Sequence, residues 1–90
     1  MINVRSQDRE ILAKVKSLSI SEISENGKIN QYSIDGEVAN GNTYELGVYS
    51  TREKAVKVLD KISGNLVKGW EIYEPVFQMP QDDEVRAWLK

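Results

Sequence analysis

The sequence predicts an α+β fold: a three- to four-stranded, mainly antiparallel sheet (a β-meander) with one long helix packed on one face. Three observations lead to this prediction. Residues 44–49 alternate apolar and other side chains as in a half-buried strand, two Asn-Gly dipeptides flank residues 28–38, and an apolar stripe with helical spacing follows residue 51. We therefore expect two hairpins followed by a helix that covers their shared face.

The segment before the first Asn-Gly is ambiguous between helix and strand. Ile11, Val15 and Leu18 are spaced i, i+4, i+7 as on a helix, whereas residues 16–21 alternate as in a strand. Asn26-Gly27 favours the strand, because this dipeptide is a strong hairpin signal between two apolar runs.

The register of both hairpins is predicted by keeping apolar residues on one face. A three-residue loop at 25–27 pairs Leu18 with Ile34, and a five-residue loop at 39–43 pairs Val38 with Tyr44. Two-residue turns would pair apolar with polar residues, so we expect the longer loops. The resulting face contains Leu18, Ile20, Tyr32, Ile34, Val38, Tyr44, Leu46 and Val48.

The helix is predicted to begin at a capping box. The Ser50 hydroxyl would accept from the amide of Glu53, and the Glu53 carboxylate would accept from the amide of Ser50. The helix would end at Gly64 or at Gly69. Its core stripe is predicted to be Ala55, Val58, Leu59, Ile62 and Leu66.

Two further elements are expected after the helix. Residues 71–79 read as a fourth strand, in which Pro75 lies on an edge or at a bulge because it cannot donate to a ladder. Trp70, Tyr73 and Phe77 are expected to complete the core beside the helix. Residues 82–89 read as one or two helical turns with acidic residues at the favourable N-terminal end.

Ninety residues predict one domain, which we place at residues 1–80, followed by a short C-terminal helical tail at residues 81–90. Residues 1–10 read as an irregular lead-in with a short extended piece at Ile2–Val4. There is no Cys, the net charge is −2, and apolar runs are too short for a membrane helix or a signal peptide. These features predict a small soluble cytoplasmic protein without a membrane partner.

Four segments of the chain can be compared with known proteins: Arg5-Ser6-Gln7-Asp8, Leu46 to Ala55, Val58-Leu59-Asp60 and Val76-Phe77-Gln78-Met79-Pro80. Together they resemble a family of small uncharacterised proteins of phages and prophages from Gram-positive bacteria. The resemblance covers most of residues 5–80 and implies a phage context, a bacterial host cytosol, and a small sheet-plus-helix fold. It supplies no site residues.

The residue types present argue against enzyme chemistry. Without His or Cys, the Ser-His and Cys-His nucleophile systems are excluded, and no phosphate-binding glycine loop is present. The acidic run at residues 82–84 lacks the spacing of a calcium loop and is explained by the helix dipole. We expect a non-enzymatic protein with no cofactor and no metal; a carboxylate pair could still act as acid and base, so an enzyme that uses carboxylates or tyrosine in an unexpected pocket is kept as a third hypothesis.

Two groups of residues are candidate interaction sites. The first is a lysine row on one side of the helix, formed by Lys54, Lys57, Lys61 and Lys68, which could follow a phosphate backbone but is more simply a solvated helix face. The second is the tail stripe of Val85, Trp88 and Leu89, which is too short to be stable alone and should be at least half buried against its own domain or another chain.

The leading hypothesis for function is a phage accessory protein that binds another protein, from the host or the phage, or that forms a homodimer. The alternative is a nucleic-acid-associated protein that uses the lysine row. We regard nucleic acid as the weaker of the two, because no aromatic residue is interleaved among these lysines for base stacking.

Overall fold

The computed structural model describes residues 2–67 and 76–89, which form an α+β fold. The strands make one sheet in the order β4-β3-β2-β1-β5, in which β1 and β5 are parallel and the other neighbours are antiparallel. The elements are β1 (Ile2–Arg5), β2 (Leu12–Glu25), β3 (Lys28–Val38), β4 (Thr43–Tyr49), α1 (Arg52–Val67), β5 (Val76–Gln78) and α2 (Asp82–Trp88).

The α+β class is as predicted, but the predicted architecture is wrong. Over the described residues the sheet is five-stranded and mixed, and the helical layer consists of two short helices, of 16 and 7 residues, instead of one long helix. The lead-in segment forms β1 by pairing with Leu12–Val15, and β5 then adds to the outer side of β1 in parallel. The β1–β5 pairing joins residues 73 apart in sequence, whereas the β1–β2 pairing joins residues 7 to 13 apart, and neither short strand has a periodicity long enough to indicate a partner.

A bulge in β2 explains why residues 11–20 carried two periodicities. Val15 and Ser17 pair with consecutive residues of β3, which leaves Lys16 as an extra residue. Ahead of this bulge Ala13 and Val15 face the core, and beyond it Leu18 does. The helix-like spacing therefore belongs to a strand whose core face changes from odd to even positions.

The turn between β2 and β3 has two residues, so the predicted three-residue loop is wrong. Asn26 and Gly27 both have positive φ, 53° and 77°, and the residues on either side pair directly. An extra residue on β3, Asn30, restores the alignment that this short turn would otherwise destroy. Ile20 consequently pairs with Ile34, two residues from the predicted register but on the same face.

A third bulge, at Leu46, changes the core face of β4. Tyr44 pairs with Gly36 instead of Val38, and beyond the bulge the two sides of the strand exchange. Tyr49 is therefore 1 % exposed in the core, whereas Val48, predicted to face the core, lies on the opposite side of the strand. The predicted single face is wrong at these positions, because the period-2 pattern was read without a bulge.

The core lies between the sheet and the helices. α1 contributes Ala55, Val58 and Ile62, all buried, with Leu59 partly buried beside them, as predicted; the side chain of Leu66 lies outside the description. Phe77 is buried as expected, whereas Trp70 and Tyr73 fall outside the described residues. Neither of the two described helices is long and apolar enough to cross a membrane.

Candidate functional site

α1 begins one residue later than predicted, with Thr51 as its cap. The Thr51 hydroxyl accepts from the amide of Lys54 at 3.2 Å, so the predicted box between Ser50 and Glu53 is wrong. The amide of Ser50 donates instead to Asp82 Oδ1 at 2.7 Å, at the start of α2. Because two hydroxyl residues precede α1, either one could cap it, and a tertiary contact decides between them.

Ser50, Lys54 and Asp82 form a cluster that joins α1 to α2. Lys54 Nζ donates to Asp82 Oδ2 at 2.8 Å and to Ser50 Oγ at 2.9 Å, and Ser50 Oγ donates to Asp82 Oδ2 at 3.1 Å. Partial burial alone would raise the pKa of Asp82, but the hydrogen bonds from Lys54 and Ser50 outweigh it and lower the pKa. Lys54 is 8 % exposed and ion-paired, so this Ser-Lys pair is arranged as a structural link and not as a nucleophile with a free base.

Three distant segments meet beside this cluster, at what we call the junction (residues 6–7, 48–50 and 79–82). The Gln7 side chain donates to the carbonyls of Val48 and Pro80, each at 3.1 Å, and accepts from the amide of Val48 at 3.0 Å. Gln7 thus hydrogen-bonds the backbone N–H and C=O of Val48 on the outer edge of β4, where no other described strand pairs with it.

Tyr49 completes the junction from the core side. Its hydroxyl donates to the carbonyl of Pro80 at 2.8 Å. Burial, together with the negative charges of Asp82 and Glu84, raises the pKa of Tyr49, so the hydroxyl keeps its proton and remains a donor.

The three tail residues are at least half buried against their own chain, as predicted. Val85 is fully buried and Trp88 packs against the core, while Leu89 is 42 % exposed. Glu84 fixes the start of α2 by accepting from the amide of Gln81 at 3.1 Å. α2 is therefore held at its N-terminus by the junction and along its length by Val85.

The described part of the lysine row is mostly engaged within the chain. Lys54 is paired with Asp82, and Lys61 Nζ lies 5.2 Å from the centre of the Trp88 ring, a cation–π distance. Lys57 is half-buried and lines a surface depression, and Lys68 lies outside the described residues. The row consequently offers less free positive charge than its sequence spacing indicates.

Residues of α1 and of the tail line a surface that we call the α1–α2 face. It consists of two depressions of about 550 and 300 Å³, whose linings share Lys57 and Asp60. Val56 and Leu89, 39 % and 42 % exposed, supply its most exposed apolar surface. The lining residues are Arg52, Glu53, Val56, Lys57, Asp60, Lys61, Trp88 and Leu89.

Sequence reasoning identified Lys57, Lys61, Trp88 and Leu89 of this face and missed the rest. Val56 stands about 110° around α1 from the centre of the core stripe, so it is an apolar residue on the polar side of a helix. An apolar residue at a helix position where a polar residue is expected was the signal in the sequence for a binding residue.

A second, wider depression of about 650 Å³ lies between the start of β2 and the end of β3. Leu12 and Tyr44 line it and are 64 % and 37 % exposed. Among residues 2–67 and 76–89, no group of three or more acidic residues is placed to hold a metal ion.

No protein-family model matches this chain, and neither a curated protein nor a solved structure matches it.

Proposed function

We propose that this chain is a non-enzymatic accessory protein of a phage or prophage, acting in the cytosol of its Gram-positive host by binding a protein through the α1–α2 face. The observation that carries the proposal is the placement of Val56 and Leu89, two exposed apolar side chains beside one depression and among charged residues. An apolar centre with a charged rim is the usual composition of a protein-binding surface.

The rigidity of the face favours binding. α2 is fixed by the Lys54–Asp82 pair and by buried Val85, so its position relative to α1 does not have to be ordered when a partner arrives. Covering Val56 and Leu89 would contribute about 1 kcal/mol each, since both are already more than half buried. The charged rim would then determine which partner fits.

The phage context and the lack of enzyme activity are supported separately. The phage context rests on the resemblance of residues 5–8, 46–55, 58–60 and 76–80 to a family of small phage and prophage proteins. The absence of His and Cys from the sequence, together with the ion-paired state of Lys54, leaves no conventional nucleophile and base.

The alternative of nucleic-acid association has weaker support, because Lys54 and Lys61 already contact Asp82 and Trp88. A gel-shift titration at low and moderate salt tests it. Lysines that contact phosphates would give binding that weakens steeply with salt, and we expect no binding.

Affinity capture from host lysate with matched aspartate variants tests the proposed function. Val56→Asp and Leu89→Asp place a charge on the α1–α2 face, and Leu12→Asp places one in the second depression. We expect wild type and Leu12→Asp to retain the same discrete partner and the two face variants to lose it. Equal capture by all four proteins would show that the α1–α2 face is not the binding surface.

A further inference from the structure

We infer that a second copy of this chain binds the α1–α2 face, with the two α1 helices antiparallel about a twofold axis near Val56. The inference rests on the proposed function and names the partner of the same face. Its basis is the charge pattern on the exposed ridge of α1, where Arg52, Val56 and Asp60 follow one another at intervals of four residues.

The ridge is complementary to itself. Arg52 and Asp60 lie one turn before and one turn after Val56, each about 6 Å away along the axis. In an antiparallel pair centred on Val56, Arg52 of each copy faces Asp60 of the other, so that two ion pairs flank an apolar contact. A twofold axis makes every such contact twice, which is how a closed dimer forms from one surface.

Other arrangements of the same ridge are less favourable. A parallel pair places Arg52 beside Arg52 and Asp60 beside Asp60, which sets like charges against each other. An antiparallel pair shifted by one turn places Arg52 against Val56 and leaves charges unpaired. The charge order therefore selects one orientation and one register.

The charges of Arg52 and Asp60 form no salt bridge with any other residue that the structure describes. The side-chain salt bridges of the described residues join Lys16 to Glu37 and Lys54 to Asp82, so Arg52 and Asp60 lack an ion-pair partner there. The charged residues of the face are Arg52, Lys57 and Lys61, which are positive, and Glu53 and Asp60, which are negative, so each face carries a net charge of only +1 and the charges of the ridge itself, Arg52 and Asp60, balance.

The packing of the centre agrees with the charge pattern. Rows of residues four apart form ridges that interdigitate in a common class of helix crossing. Val56 is small enough to let two α1 helices approach closely, and Leu89 of each copy lies in the same depression as Val56. The face is small compared with a stable interface of about 800 Å² per partner, so we expect a weak dimer.

Sedimentation velocity with charge-swapped variants tests the inference. We expect wild type to associate between about 10 µM and about 1 mM at low salt. Arg52→Asp sets Asp against Asp60, and Asp60→Arg sets Arg against Arg52, so each single variant should remain monomeric. The double variant recreates both ion pairs with the signs exchanged and should recover self-association.

The controls separate this inference from the proposed function. Both residues are exposed, so circular dichroism should show that every variant is folded, and Leu12→Asp should dimerise like wild type. Wild type that stays monomeric, or a double variant that does not recover self-association, overturns the inference.

If capture of a host protein is nevertheless lost in Val56→Asp, the proposed function stands with a different partner. If Val56→Asp and Leu12→Asp behave alike in both assays, the inference and the proposed function both fail.

Discussion

The junction and the α1–α2 face adjoin the same two helices, but their polar side chains serve different ends. At the junction, Gln7, Tyr49 and Asp82 each bind groups from other segments of the chain. On the face, Arg52 and Asp60 have no ion-pair partner among residues 2–67 and 76–89, and they lie beside exposed Val56 and Leu89. The difference indicates that the junction stabilises the fold while the face is available to another molecule.

The same difference predicts how substitutions behave. Within the part of the chain that the structure describes, no buried side-chain nitrogen or oxygen lacks a hydrogen-bond partner. Removing a junction group therefore leaves its partners unsatisfied, and the cost appears in the free energy of unfolding. Removing a charge from the face leaves nothing unpaired, so its effect should appear in association instead.

Gln7→Ala should have the largest effect on stability. It removes three hydrogen bonds and leaves both backbone groups of Val48 at the edge of β4 without their present partners. We expect a loss of about 2–4 kcal/mol in the free energy of unfolding, measured by urea denaturation. Gln31→Ala, an exposed substitution of the same kind, should change it by less than about 0.5 kcal/mol. Equal effects of the two variants would mean that the junction is not a stabilising centre.

Gly36→Ala tests how tightly the sheet is packed beneath α1. An added Cβ would lie 2.7 Å from Val15 Cγ1 and 2.8 Å from Leu46 Cδ1, so these side chains must move. We expect a loss of about 1–3 kcal/mol from overpacking, measured by thermal and urea unfolding. Combining it with Val15→Ala, which removes one of the clashing methyl groups, should cost less than the sum of the two single substitutions. If the losses in the free energy of unfolding of the two single substitutions simply add, the crowding around Gly36 is relieved without strain.

Asp82→Asn tests the link between the helices through pH. The pKa of Asp82 is lowered in the folded state from its ordinary value of 3.8. Its contribution is therefore present above that value and is lost as the pH falls through the folded-state pKa. Because the carboxylate is 38 % exposed, water screens the pair, and we expect the variant to be less stable by about 1 kcal/mol at most at about pH 7.

The measurement is the difference between the urea midpoints of wild type and Asp82→Asn from about pH 7 to about pH 3. The difference should shrink as the pH falls below 3.8 and vanish once Asp82 is protonated. A difference independent of pH would assign the effect to geometry and not to the charge of Asp82.

The sequence was sufficient for the strand positions around the turns, for the buried stripe of α1 and for the buried tail. It was insufficient for register, because the extra residues Lys16, Asn30 and Leu46 each reverse the core face of a strand. A bulge adds one residue without a distinct composition, and its position depends on packing between strands. Local patterns cannot supply that information.

The junction was harder to predict from the sequence than the α1–α2 face. The sequence predicted Ser50 as the cap of α1, whereas Thr51 caps it and the amide of Ser50 donates to Asp82, 32 residues beyond Ser50. The parallel pairing of β1 with β5 was hidden for the same reason. On the face, by contrast, a helical projection alone places Val56 outside the core stripe, so its exposure was within reach of the sequence.

Gly64→Ala should give the smallest effect, and one of opposite sign to Gly36→Ala. A Cβ at Gly64 meets nothing within 4 Å, and the residue lies inside α1, where glycine is unfavourable. We expect a gain of about 0.5–1 kcal/mol, measured by urea denaturation at a protein concentration low enough to keep the chain monomeric. Its exposed neighbour supplies the reverse control, since Ser63→Gly should lower stability by a similar amount. A destabilised Gly64→Ala variant would mean that this side of α1 is covered in the free chain. That result would contradict the comparison made above, in which the junction is bonded within the chain and the outer side of α1 is exposed.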